Sequence, residues 1–281
     1  MLKNLIIATI IFFTIPLSSS AEALQTTQEE NNLKQQVVIL QQIISLLQQL
    51  QDIDQTTSIP PATLTFSNTQ SWEPDLEIAL REIRSNEEVL EYFEQLEVAP
   101  PPQDASSINS EVAILQSLTQ GRTATDVIEI NREIFFNTAY FNNTPLEDLV
   151  ADKPNTQELI FEADIRIASM LLLFKNKFDR VRPSFVDPTL SLAIENPGHP
   201  AYPSGHAGQS RMIAYVLSDL DPTTSSQYFA DADRVALNRE IAGVHYRSDS
   251  VAGQQLADDL FEIIEAESWY RNLHKEAKKE W

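Results

Sequence analysis

No cysteine occurs in the 281 residues. Disulfides, thiolate metal sites and lipoprotein attachment are therefore excluded. Glycine is scarce, at six residues, and no segment alternates convincingly as a strand would. An all-α domain follows by elimination as much as by positive signal. Positive charge is scarce too: 20 Lys and Arg face 41 Asp and Glu, for a net charge of −21. Such a surface repels a phosphate backbone, so no nucleic-acid partner is expected. Any anion site must gather its few cations locally. Long apolar runs are missing after the first segment. The most apolar later piece, IASMLLLF from Ile167 to Phe174, is too short to span a bilayer and is flanked by Arg166 and Lys175. No stable membrane insertion of the mature chain is expected.

What is present begins with MLKNLIIATIIFFTIPLSSSAEA, residues 1–23. Lys3, an apolar run to about Leu17 and the A-x-A triplet Ala21-Glu22-Ala23 have the form of a cleaved secretory signal. A single membrane anchor is the alternative, but the run is short and Pro16 breaks it. A periplasmic or secreted protein is expected. Residues 24–57 are rich in Gln, and Leu33, Val37, Leu40, Ile44 and Leu47 recur at steps of four and three. They make a heptad-like seam over residues 33–50 that needs a partner, either its own copy in a homo-oligomer or the main domain. Residues 58–70 read as a linker after Pro60-Pro61, and residues 71–281 as a single helical domain. Its expected helices include a long one up to the triple proline at 100–102, one capped by Asn109 or Ser110, and one over TDVIEINREIFFNTAYF. A central apolar helix over 155–181 follows, then helices over 203–219, 222–242 and 247–271.

Three short segments carry chemistry. In KNKFDRVRP, Lys175 and Arg182 are seven residues apart, two turns of a helix, so both would point at one anion. Lys177 and Arg180 would form the solvated face. In YPSGH, Pro203 suits the first turn of a helix, whose free N–H groups and dipole favour an anion. Gly205 lets a ligand approach the backbone, Ser204 adds a hydroxyl donor, and His206 can move a proton near neutral pH. In REIAGVHYRSD, Arg239 precedes His245 by six residues and Asp249 follows it by four. If 245–249 is helical, the Asp249 carboxylate can hold one ring nitrogen of His245 and leave the other as a nucleophile or ligand. Taken singly, each segment also has an ordinary structural reading: a solvated helix face, which such a Lys/Arg pair usually is, a capped turn, a helical ion pair.

Together and in this order they resemble the signature of the type 2 phosphatidic acid phosphatase superfamily, over roughly residues 122–265. That superfamily includes soluble bacterial class A acid phosphatases and vanadium haloperoxidases. One position departs, since the residue before Arg239 is often Ser in the phosphatases and is Asn238 here. The resemblance implies an all-α bundle in which Lys175, Arg182 and Arg239, with Ser204 and the Gly205 amide, bind phosphate. It implies His245 as nucleophile, forming a phosphohistidine, His206 as acid and then base, and Asp249 as the group that orients His245. On this reading no metal and no cofactor is needed, and the substrate is a small soluble phosphate ester. The alternative implied by the same residues is a bromoperoxidase-like enzyme with vanadate as cofactor and His245 as its ligand. His199, in NPGHPAYPSGH, would lie in a loop over the entrance, outside the phosphoryl contacts of a phosphatase. In a haloperoxidase it would tune bound vanadate or the halide. The haloperoxidases compared are considerably longer chains, which favours the phosphatase.

Overall fold

The computed structural model describes residues 64–135 and 138–281. The expected signal segment, the Gln-rich helix with its seam and the first part of the linker lie outside the described residues. All described residues belong to one unit, Pro60–Trp281. Helix dominates, as expected. The helices are α1 (Pro74–Ile83), α2 (Glu87–Gln95), α3 (Ala105–Gln120), α4 (Ala124–Arg132), α5 (Leu146–Val150), α6 (Pro154–Phe178), α7 (Pro183–Val186), α8 (Gly205–Leu220), α9 (Ser225–Ile241), α10 (Arg247–Ile264) and α11 (Ser268–Ala277).

Local chemistry sets the boundaries and corrects several expectations. The run before the triple proline is two helices, because Asn86 leaves the helix and caps the second one through Val89 N. Helix α3 starts earlier than expected. Asp104 is its cap, accepting from Ser107 N at 2.9 Å, and Asn109 and Ser110 lie inside the helix. Thr123 and Asp126 form a reciprocal capping box on α4. That helix ends at Arg132 rather than running on to residue 141. Tyr140–Phe141 (β1) instead pairs antiparallel with Thr144–Pro145 (β2). The turn between them is Asn142-Asn143, both at positive φ, a conformation that asparagine tolerates and that suits a two-residue hairpin. Residues 65–69, assigned to the linker, pack on the end of α6: Phe66 is fully buried and its N–H donates to Asp179 O at 2.8 Å.

Helix α6 is the 25-residue centre of the bundle. It packs on α8, which α9 and α10 also cover, and α11 packs on it as well. The core runs through Ile167, Met170, Phe174, Ile213, Leu217, Leu256 and Leu260. The start of α8 meets α10 at two glycines. A Cβ on Gly253 would sit 2.4 Å from Ser204 O, and one on Gly208 would sit 3.0 Å from Gly253 O. Only glycine permits this approach, and it fixes where α8 begins.

Candidate active site

Four stretches of chain converge at the N-terminus of α8. The first is the end of α6. Asp179 takes the left-handed conformation, at φ 49°, and stops the helix after Phe178. Arg182 is therefore not two helical turns beyond Lys175, as the spacing suggested. It lies past the break, in extended backbone as the cap of α7, and still comes back to the same place. The second stretch is the loop 197–203. The third is the start of α8, where Ser204 is the cap and Pro203 precedes it rather than occupying the first turn. The fourth is the turn from α9 into α10. Gly243, at φ 83°, reverses the chain after Arg239 and delivers His245 just ahead of α10.

Lys175 is 2% exposed, and its ammonium donates to three carbonyls: Pro200 at 2.8 Å, Ala201 at 3.3 Å and Pro203 at 2.6 Å. All three donors are thus engaged by the loop. Burial, reinforced by Arg182, pulls its pKa well below the usual lysine range. Arg182 is fully buried. Its Nη1 donates to Val244 O at 2.8 Å and to His245 Nε2 at 3.0 Å, and its Nε and Nη2 bind His199 O at 3.1 and 2.9 Å. Burial lowers its pKa to about 10, against the pull of Asp249. Arg239 differs. Its Nη2 donates to Ile130 O at 3.0 Å and Glu133 Oε2 at 2.7 Å, while Nε and Nη1 are buried with no hydrogen-bond partner among the described residues.

The histidine tautomers follow from their partners. Arg182 can only donate, so His245 Nε2 carries the lone pair, and Nδ1–H donates to Asp249 Oδ2 at 3.1 Å. Although His245 lies outside α10, the expected pairing with Asp249 forms. Asp249 also accepts from Tyr246 N at 2.9 Å, as part of the cap of α10. His206 contacts the Glu133 carbonyl through Nε2 at 2.7 Å; a carbonyl can only accept, so the proton is on Nε2 and Nδ1 is the exchangeable position. Burial and Arg239 lower the pKa of His206 to about 3. His245 is held well below its usual value by burial, then by Arg182 and Lys175. Each cation that disfavours the imidazolium would be offset by a bound anion, so anion binding and ring protonation are linked.

Ser204 is fully buried; its hydroxyl accepts from Ala207 N at 3.5 Å, and its N–H donates to Asp249 O at 2.9 Å. Gly205 lines the cavity. A Cβ there would meet only Gln209 Oε1, at 3.7 Å, so the missing side chain keeps space open beside the helix N-terminus. His199 is not a loose loop residue. It is half-buried and lines the cavity, with Nδ1 3.1 Å from Arg182 Nη2. Burial, Lys175 and Arg182 hold its pKa well below 6.5. The cavity has a volume of about 760 Å³, and Lys175, His199, Gly205, His206, Arg239 and His245 all face it.

Sequence reasoning missed four supporting residues. Arg180, expected on a solvated face, is 7% exposed and pairs with Asp249 Oδ1 and with Glu111 Oε2 at 2.7 Å. Burial opposes its charge, but these two carboxylates together raise its pKa. The helix break at Asp179 turns Arg180 inward, and a breaker was not foreseen there. Glu133 is 3% exposed and ties the site together: its carbonyl meets His206 and its carboxylate binds Arg239. Asn238, the departure from the usual Ser, donates to Glu133 Oε1 at 2.7 Å. No motif marks Glu133 or Glu111.

No protein-family model matches the sequence, and no curated protein matches it at a significant level. Among solved structures the chain is similar to a bacterial vanadium-dependent iodoperoxidase, at 18% identity and a TM-score of 0.45, over 60% of this chain and 51% of that one. It thus spans about half the length of that protein. It is also similar to a transmembrane PAP2-type phosphatidylglycerolphosphate phosphatase from Bacillus subtilis, at 16% identity and a TM-score of 0.44, over 67% of this chain and 93% of that one. The functional reading rests on the side-chain geometry.

Proposed function

We propose that the cavity is the active site of an exported phosphomonoesterase that works through a phosphohistidine. The observation that supports it is the presence in one cavity with His206 of His245, whose tautomer Asp249 fixes so that the Nε2 lone pair rests on Arg182 Nη1 and can turn to phosphorus, and of Arg239, whose Nε and Nη1 lack partners among the described residues. A phosphoryl group would take the two unpaired edges of Arg239 and the amide at Gly205, with Lys175 and Arg182 supplying fixed charge. The His245 Nε2–P bond forms as the P–O bond of the ester breaks. The bound phosphoryl group offsets the cations that keep His206 neutral, so His206 takes up a proton at Nδ1 as the ester binds and passes it to the departing alkoxide. Water then attacks phosphorus, returns a proton to His206 and frees phosphate and His245. No metal or cofactor enters this scheme.

A second reading is a vanadium haloperoxidase, favoured by one specific observation: His199 lines the cavity and its Nδ1 contacts Arg182 Nη2. Lys175, Arg182, Arg239, Gly205 and His245 would hold vanadate as they hold phosphate, and the donor set fits either anion. Bound there, vanadate would supply halide oxidation by peroxide.

One assay separates the two. The vanadate-free protein should hydrolyse an aryl phosphate, be inhibited competitively by vanadate, and lose both turnover and labelled phosphoenzyme in His245→Ala. His199→Ala should keep hydrolysis within a few-fold of wild type. Bromide oxidation dependent on vanadate and peroxide, without hydrolysis by the vanadate-free protein, would assign the second reaction.

A further inference from the structure

The lining of the same cavity is of two kinds. Its floor is the cation cage at the N-terminus of α8. The rest of the wall is largely apolar, with Leu76, Leu171, Leu172, Ile134 and Ile194 beside the neutral amides of Asn131, Asn196 and Gln209. The charged residues lining it away from the floor are both acidic, Glu73 and Glu195. Lys175 and Arg239 are the only lysine or arginine among the described lining residues, and both belong to the floor. Glu73 is fixed in place: its Oε1 accepts from Gly198 N at 2.8 Å, and its N–H donates to Gly198 O at 2.7 Å. Its charge reaches the cage, where it helps keep the buried Arg182 protonated.

We infer that this cavity selects phosphate monoesters whose alcohol is apolar and carries no negative charge. The inference rests on the proposed anion site and deepens it. A phosphoryl group placed on the floor leaves the alcohol against the apolar wall, where hydrophobic contact favours it. A second negative charge on that alcohol would lie near Glu73 and Glu195, with no cation to meet it. Like charges about 8 Å apart in a partly wet cavity weaken binding about tenfold, more at low salt and less at high salt. Esters with a further phosphate or a carboxylate are therefore rejected, while an ammonium on the alcohol is tolerated.

Calorimetric titration of the full chain with non-hydrolysable phosphonates tests this without turnover. Benzylphosphonate should bind, 4-carboxybenzylphosphonate should bind about tenfold more weakly, and 4-(aminomethyl)benzylphosphonate at least as well as the parent. The difference should shrink as salt is raised. In the Glu73→Gln/Glu195→Gln double variant the carboxyl derivative should come within about twofold of the parent. Equal binding of the parent and carboxyl compounds by wild type, or an unchanged ratio in the double variant, would overturn the inference. Vanadate binding without any phosphonate binding would overturn it alone. Failure of vanadate and benzylphosphonate alike would overturn the anion site itself.

Discussion

Arg239 differs from the other two cations in what its hydrogen bonds leave open. Lys175 and Arg182 spend their donors on carbonyls and on histidine rings, which fixes them as rigid positive charge. Arg239 keeps Nε and Nη1 unpaired while Glu133 holds its other edge. The three cations should therefore respond differently to mutation. Arg239→Lys retains a charge that can still pair with Glu133 but loses the planar edge. It should preserve thermal stability and weaken phosphate and vanadate binding by about 1.5–3 kcal/mol, roughly ten- to a hundredfold. Lys175→Met should do the reverse in emphasis. It leaves the carbonyls of Pro200, Ala201 and Pro203 without their buried donor, so the melting temperature should fall along with binding. Paired thermal melts and vanadate titrations check both. A larger stability loss in Arg239→Lys than in Lys175→Met would contradict these roles.

At the scale of elements, the site depends on where α8 begins, and two glycines there have opposite tolerances. Gly253 faces backbone: a Cβ would lie 2.4 Å from Ser204 O and 3.1 Å from Gly208 N, with no flexible side chain to yield. Gly253→Ala should push α10 off α8, costing about 1–3 kcal/mol of stability and disturbing Asp249, whose carbonyl holds Ser204 N. Gly205→Ala meets only the end of Gln209, so it should fold as well as wild type yet crowd the cavity and weaken anion binding. Melting curves and phosphate affinities for the two variants should therefore diverge. The same elements show what was legible in the sequence. Lys175, Arg182, His206, Arg239, His245 and Asp249 could be named because their three segments occur together and in the order of the signature they resemble; residue type and local spacing alone left each with an ordinary structural reading. The reason given for bringing Lys175 and Arg182 together was wrong, since Asp179 breaks the helix between them and the loop 197–203 does the joining. Glu111 and Glu133 were illegible because their roles come from contacts with residues 69 and more than 100 positions away. The break at Asn86 and the hairpin at Asn142-Asn143 were available in turn chemistry but lost to helical periodicity.

For the whole molecule, net charge and site chemistry act against each other as pH falls. A chain of net charge −21 relieves its self-repulsion when carboxylates take up protons. The site does the opposite. His199, His206 and His245 all have pKa values below 6.5 in the folded state, His206 at about 3, because burial and nearby cations disfavour their charged forms. On acidification the unfolded chain therefore binds protons at these positions before the folded chain does. Their stability contribution is complete above 6.5 and is lost as pH falls toward the folded values. For one fully buried histidine the loss is about 1.4 kcal/mol per pH unit. His206 opens on the cavity, and solvent there narrows the pH window over which this loss accrues rather than changing its slope. A bound anion shields the imidazolium from Arg239, Lys175 and Arg182, so it raises the folded pKa and reduces the loss. Thermal unfolding between pH 7 and 4.5 should show a declining melting temperature in wild type, a shallower decline in His206→Gln, and a shallower decline in wild type with saturating phosphate. The same anion should bind more tightly at pH 5 than at pH 7 relative to His206→Gln. A wild-type decline no steeper than that of His206→Gln would mean that the cations of the site do not hold this ring neutral.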